Sequence, residues 1–224
     1  IAQTTSVPVV IDPNRVAASH YLATQFDVDL ILSDDGLQHY AMKRDLEICV
    51  VDGNRGLGNQ QLLPEGPLRE RVERLNEVDW VVINGEGQFD YDSALHFSLV
   101  PDALYSLNDW KRHDTRPEVV GSKKVYAVAG IGDPSRFFDT LRSLGFDPIE
   151  CPLDDHAVLS DDQWLKMQDY PILMTDKDAV KYRSKACRHA WSLSVKAHLD
   201  DASRETLATQ LPKLVSMIGE KNGP

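Results

Sequence analysis

The sequence predicts an α/β protein: a mostly parallel sheet followed by a second, smaller α/β domain. Three observations predict it. Short apolar runs end in acid or glycine, as in Asp29-Leu30-Ile31-Leu32-Ser33-Asp34-Asp35-Gly36 and Leu46-Glu47-Ile48-Cys49-Val50-Val51-Asp52-Gly53. Buried strands of α/β proteins deliver side chains to the carboxyl edge of the sheet in this way. Helical periodicity falls between such runs, so strand and helix alternate. A more polar stretch over 85–120 separates two alternating segments.

Val7–Ile11 reads as the first strand. Asp12-Pro13 then offers a helix start, with an acid at the cap and proline at the first helical position. Val16, Leu22, Ala23 and Phe26 repeat at helical spacing, and the strand at 29–33 follows. The second strand ends at Asp52-Gly53, and a long loop over 53–70 reads as structureless, a length usually kept for function. Residues 70–77 read as helical, and Val78–Ile83 as a strand closed by an Asn84-Gly85 turn. Ala94–Val100 and Ala103–Leu107 read as two strands. The boundary is set near residue 110, dividing the chain into 1–110 and 111–224.

In the second half, Val125–Gly130 is a strand and Gly132-Asp133-Pro134 opens a helix that Gly145 ends. Ser160-Asp161-Asp162-Gln163 has the form of a capping box. Ile172–Thr175 and Trp191–Val195 are strands, and Ala202–Ile218 is an amphipathic helix interrupted or kinked at Pro212.

With 224 residues, 42% hydrophobic and 26% charged, the chain can bury one large core or two modest ones. Its net charge of −11 argues against a general nucleic-acid binder. No apolar run has the roughly 20 residues of a membrane helix. Cys49, Cys151 and Cys187 form no metal-spaced pair and read as reduced thiols. The chain starts at Ile1 with no signal-peptide pattern, and reads as part of a longer one.

Asp34 and Asp35 are the first candidates for chemistry. Neighbours on an extended strand point to opposite faces, which does not suit the paired carboxylates of a glycosidase. One acid on a magnesium ion or its water, with the other fixing geometry, suits the spacing. A strand-end acid capping the next turn is the alternative. Gln38 and His39 could meet a nucleotide or hold the acids in place. The 53–71 loop carries Arg55, Arg69 and Arg71, whose donor forks suit phosphate. Glu65 and Glu70 nearly cancel that charge, so a solvated loop is the other reading. Asp155-His156 could form an acid–base pair. The charges of Thr175–Lys181 could touch an anion or simply start a helix in solvent. No Gly-x-x-x-x-Gly-Lys-Ser/Thr phosphate loop occurs anywhere.

Together these segments resemble the tetraacyldisaccharide 4'-kinase family of lipid A synthesis. The matching stretches, in family order, begin with Ser33–His39 and with Arg44-Asp45 and the strand to Asp52-Gly53. Leu63-Pro64-Glu65-Gly66-Pro67-Leu68-Arg69-Glu70 and Val78-Asp79 to Asn84-Gly85 follow. Gly130-Ile131-Gly132-Asp133-Pro134 with Phe137-Phe138, Asp155-His156 and Thr175–Lys181 complete the set. The resemblance implies a P-loop-kinase-like first domain, present in part, and a second domain closing over the active site.

It also implies ATP and Mg2+ as cofactors, and transfer of the γ-phosphate to the 4'-hydroxyl of an acylated disaccharide 1-phosphate, giving lipid IVA. The acceptor is the lipid A disaccharide precursor of the bacterial inner membrane, met from its cytoplasmic face by a peripheral enzyme. Carried across, Asp34 and Asp35 organise the metal and phosphates, and His156 partners the catalytic aspartate. Gln38, His39, Arg69 and Glu70 line the cofactor's side of the cleft. Arg71 stands where the family usually has proline, and Asp176 where it has glutamate. The family's phosphate loop and its Gly-Asp-Glu-Pro stretch, with the general base, precede anything in this sequence. The expectation is therefore a fragment, inactive by itself. A metal-dependent phosphatase and a non-catalytic nucleotide-binding module are the competing readings.

Overall fold

A computed structural model describes residues 5–154, 157–182 and 189–221. The chain divides into two compact units, Ile1–Phe97 with Leu199–Pro224, and Ser98–His198. The division at residue 110 is thus replaced by one after Phe97, and residues 199–224 return to the first unit.

In the first unit, helix α1 (Arg15–Gln25) is capped by Asn14, whose side chain accepts from the Ala17 N–H at 3.1 Å. Asp12, two residues before the cap, instead accepts from the Asn14 N–H at 2.7 Å. Strand β1 (Ile48–Asp52) runs parallel to β2 (Trp80–Asn84), with Ile48 opposite Trp80 and Asp52 opposite Asn84. The beginning of β3 (Leu95–Ser106) adds in parallel on the far side of β2, with Val82 opposite Leu95. Val51, Leu75 and Val81 form the core here, with Cys49, Phe89 and Tyr91 packed around them. The expected helix at 70–77 is a short 3-10 turn, Val72–Asn76, that brings Leu75 into this core.

The expected strands at 7–11 and 29–33 are absent. Ile11 is 93% exposed, Leu30 67% and Leu32 85%. An apolar run becomes a buried strand only if a neighbouring strand pairs its backbone and a facing layer covers its side chains. Neither is supplied among the described residues.

Helix α6 (Asp201–Lys221) closes the first unit and runs through Pro212 without a break. Asp200 caps it: its Oδ1 accepts from the Ser203 N–H at 2.7 Å, while Ser203 Oγ accepts from the His96 N–H at 2.7 Å. Trp80 Nε1 donates to Gln210 Oε1 at 3.4 Å. Among the described residues no helix is long and apolar enough to cross a membrane.

The second unit is a mostly parallel sheet covered on both faces. Strand β4 (Arg112–His113) pairs antiparallel with the end of β3, which is one strand where two were expected. After the short helix α2 (Pro117–Val120) come β5 (Lys124–Ala129), α3 (Pro134–Ser143), β6 (Asp147–Pro152) and α4 (Asp161–Lys166). Strand β7 (Ile172–Thr175), the one-turn helix α5 (Asp176–Ala179) and β8 (Ala190–Leu199) follow. The strand order is β3-β8-β7-β5-β6, and β5 runs parallel to both β6 and β7. Alternation along β5 sends Val125, Ala127 and Ala129 to one face, against Phe137, Phe138 and Leu141 of α3. Val128 goes to the other face, with Met174, Leu159 and Tyr182. The capping box of Ser160 and Gln163 forms as the sequence predicts, and Gly145 ends α3 with φ +88°. Strand β6 was not anticipated: Pro148 and Pro152 flank too short an apolar run to read as one.

Candidate functional site

The Asp34-Asp35-Gly36 segment is a turn, not a strand end. Asp35 adopts φ +53°, a conformation asparagine and aspartate tolerate better than most residues. Gly36 is buried, and a Cβ there would fall 2.6 Å from Ser33 Oγ and 3.2 Å from Ser33 Cβ, so a larger residue would have to displace the Ser33 side chain. The His39 N–H donates to the Gly36 carbonyl at 3.0 Å, and the Met42 N–H to the His39 carbonyl at 3.0 Å. The fold-back frees both aspartates from the strand constraint that sent them to opposite faces. Both side chains stand in solvent.

The loop over 53–70 is ordered by its own hydrogen bonds, which corrects the structureless reading. Asp52 Oδ1 accepts from the Asn54 and Arg55 N–H groups at 3.0 and 3.1 Å. Gly56 and Gly58 take positive φ. Asn59 Nδ2 donates to the Glu65 carbonyl at 2.9 Å, and the Leu63 N–H to the Leu68 carbonyl at 2.8 Å. The loop thereby sets down Arg69 and Glu70 at the entrance to the 3-10 turn. Arg69 is exposed and Glu70 only partly so.

Glu70 and the acid turn meet. Gln38 Nε2 donates to Glu70 Oε2 at 2.6 Å, and the Tyr40 hydroxyl donates to Glu70 Oε1. Arg74 Nε stands 3.3 Å from the same Oε1. The Tyr40 hydrogen bond, with help from Gln38 and Arg74, holds the Glu70 carboxyl below its ordinary value of 4.5 against the opposing push of burial. The same bond pushes the Tyr40 phenol up. From the other side, Arg44 donates to the carbonyls of Gly36 and Leu37 at 2.9 and 3.1 Å, with its guanidinium 5.8 Å from the centre of the Tyr40 ring.

Of the residues singled out in the sequence, Gln38 and Glu70 are joined directly. Asp34, Asp35 and His39 lie on the same turn, whereas Arg69 makes no contact with them that the structure defines. Tyr40, Arg44 and Arg74 escaped the sequence reading. Arg44 alone carried a signal, since it belongs to one of the matching segments. His156 and Asp155 lie outside the described residues.

As a cradle for magnesium, the turn offers two exposed carboxylates, hard oxygen donors of the kind that cation takes one or two at a time. Among the described residues no group of three or more histidine, cysteine, aspartate or glutamate side chains is arranged to hold a metal by itself. The donor set therefore fits a cation that keeps water and phosphate as its other ligands, and does not fit an all-protein cage.

In the second unit, the charges of Thr175–Lys181 divide: Asp176 and Lys177 are exposed at the helix start, whereas Asp178 and Lys181 are structural. Asp178 is fully buried. Its Oδ2 accepts from the Gly130 N–H at 2.9 Å and from Thr175 Oγ1 at 2.7 Å. Its Oδ1 pairs with Lys181 Nζ at 2.8 Å, and that ammonium also donates to the Ala157 carbonyl at 3.1 Å.

Comparison with known proteins supplies a frame for these residues. A family model described as Tetraacyldisaccharide-1-P 4'-kinase (LpxK) matches residues 1–212. The tetraacyldisaccharide 4'-kinase of Pseudomonas fluorescens (strain Pf0-1) is 45% identical over 215 residues, which cover 96% of this chain and 63% of that protein. Its counterpart in Shewanella piezotolerans is 43% identical over 219 residues, covering 96% of this chain and 64% of that protein. The chain thus spans just under two thirds of the length of these relatives. A crystal structure of LpxK from Aquifex aeolicus in complex with ATP matches with a TM-score of 0.60 at 24% identity, covering 81% of this chain and 56% of that one. That likeness carries the fold, a mixed α/β fold with a mostly parallel sheet.

Proposed function

We propose a phosphoryl-transfer function for this chain, which belongs to the Tetraacyldisaccharide-1-P 4'-kinase family. The reaction is transfer of the γ-phosphate of ATP to the 4'-hydroxyl of tetraacyldisaccharide 1-phosphate, giving lipid IVA, on the cytoplasmic face of the inner membrane. The match over residues 1–212 carries this reading. The turn geometry supports it, because it exposes two carboxylates beside a bonded amide and glutamate.

Phosphoryl transfer asks the protein for position and charge more than for covalent chemistry. Asp34 and Asp35 would hold Mg2+, directly or through water; when bound, that cation neutralises charge on the phosphates. Gln38, oriented by Glu70, and His39 present donors on the nucleotide's side of the turn, and Arg69 offers a planar fork to phosphate. His156 is assigned to partner the catalytic aspartate, as in the family. These 224 residues contain no phosphate-cradling Gly-x-x-x-x-Gly-Lys-Ser/Thr motif. We therefore place turnover in a polypeptide that also carries one, and expect none from the 224 residues alone.

The test is transfer of labelled γ-phosphate from ATP to the acylated disaccharide 1-phosphate by the natural protein that carries this sequence. Asp34→Asn and Asp35→Asn should each lower kcat by about 100-fold or more. Magnesium-dependent phosphate release without an acceptor and without ATP would replace the kinase by the phosphatase reading. ATP binding with no transfer would replace it by the binding module.

A further inference from the structure

The side chains around the acid turn close on themselves. Starting at the carbonyls of Gly36 and Leu37, the path runs to Arg44, whose Nη2 lies 2.6 Å from Glu47 Oε1. It continues from Glu47 Oε2 to Arg74 Nη2 at 2.5 Å, from Arg74 to Glu70 at 3.3 Å, and from Glu70 to Gln38 at 2.6 Å. Gln38 is the next residue after Leu37, so the path ends on the tripeptide where it began. Its four charged members alternate in sign and keep only 15–19% of their side-chain surface exposed. Charges shielded to that degree are screened less than surface pairs, and each arginine bridges two members of the path through different nitrogens. The Glu47 hydrogen bond is the main reason the Arg74 guanidinium is held above its ordinary value.

We propose that Arg44, Glu47 and Arg74 are positioning residues for the Asp34–Gln38 turn, and that they act as a closed ring rather than as three separate ion pairs. None of the three is itself placed against nucleotide or metal. Their work is to set the carbonyls of Gly36 and Leu37 and the amide of Gln38 at fixed places on one frame, and so to fix the two aspartates just before them. A ring differs from a set of pairs in one measurable way. The first break releases the turn, and a second break releases nothing more.

The role in catalysis rests on the kinase reading, but the ring does not, and the test separates the two. Backbone hydrogen exchange over residues 34–40 is measured in the natural protein and in its Glu47→Gln, Arg74→Met and Arg74→Lys variants and the Glu47→Gln/Arg74→Met double variant. Each neutralising variant should speed exchange in the turn by about tenfold, and the double variant by no more than either single one. Arg74→Lys keeps the charge and guards against loss of the fold; it should recover part of the protection. In the same proteins kcat should fall as the turn's exchange speeds up, while KM for ATP changes by less than about threefold. Unchanged exchange, or additive effects in the double variant, overturns the ring. Exchange that moves as stated in a wild-type protein that transfers no phosphate keeps the ring and overturns the kinase reading instead.

Discussion

At the scale of single residues, the strongest effects come from groups that share one partner. Glu70 is the clearest. Its carboxyl is held down chiefly by the Tyr40 hydroxyl, so its folded value lies below its unfolded one. The stability it contributes is present above the ordinary carboxylate value of 4.5 and is lost as pH falls through the lowered folded value. Tyr40→Phe should therefore move the Glu70 titration, followed by carboxyl carbon NMR, back up towards 4.5. A titration that stays where it was would show that Gln38 and Arg74 suffice. In the second unit, Lys181 is the charge that balances the buried Asp178. Among the described residues, Lys181→Met leaves that carboxylate with its N–H and hydroxyl donors, and should cost about 3 kcal/mol in urea unfolding. A loss below about 1 kcal/mol would mean that Gly130 and Thr175 satisfy the charge by themselves.

At the scale of elements, the 53–70 loop behaves as a folded part. Its closure depends on Gly66, where a side chain would collide with Asn59 Oδ1 and the Gln61 carbonyl. Gly66→Ala should therefore cost about 1–3 kcal/mol and speed amide exchange across 61–68, without disturbing β1. Unchanged exchange there would show that the loop's order comes from elsewhere. The Ser160 capping box and the Gly145 helix end, whose order is local, were legible in the sequence, as were the apolar runs at 48–52 and 125–129, which find neighbouring strands to pair with. Runs that find no such partner, and order made by distant side chains, were misread. Residues 7–11 and 29–33 have strand composition but no strand beside them, and the loop's internal bonds join residues such as Asn59 and Glu65 that no periodicity links. The acid turn was legible as a motif. The role of the arginines that hold it was not, because Arg44, though part of a matching segment, lies far in sequence from Arg74, and nothing in the sequence joins the two until the chain folds.

At the scale of the whole molecule, the proposed function assigns a role to His156 as well as to the acid turn. In the natural protein, His156→Ala should lower turnover by about tenfold or more while leaving ATP affinity nearly unchanged; an equal loss of both would remove His156 from the chemical step. The exposed apolar runs carry a second expectation. Ile11 and Leu32 offer large hydrophobic side chains to solvent, so the isolated chain should bind a hydrophobic dye, and Ile11→Lys with Leu32→Lys should reduce that signal. An unchanged signal would place the sticky surface elsewhere. The buried carboxylate of Asp178 has a consequence of a different kind. It gathers bonds from Gly130, Thr175 and Lys181, and a Cβ at Gly130 would come within 3.0 Å of its Oδ1. Residues as far apart in the chain as 130 and 181 thus share a single tolerance for change. In a randomised library selected only for folding, these four positions should be kept together or exchanged together, and a survivor altered at one of them should carry its compensation at another.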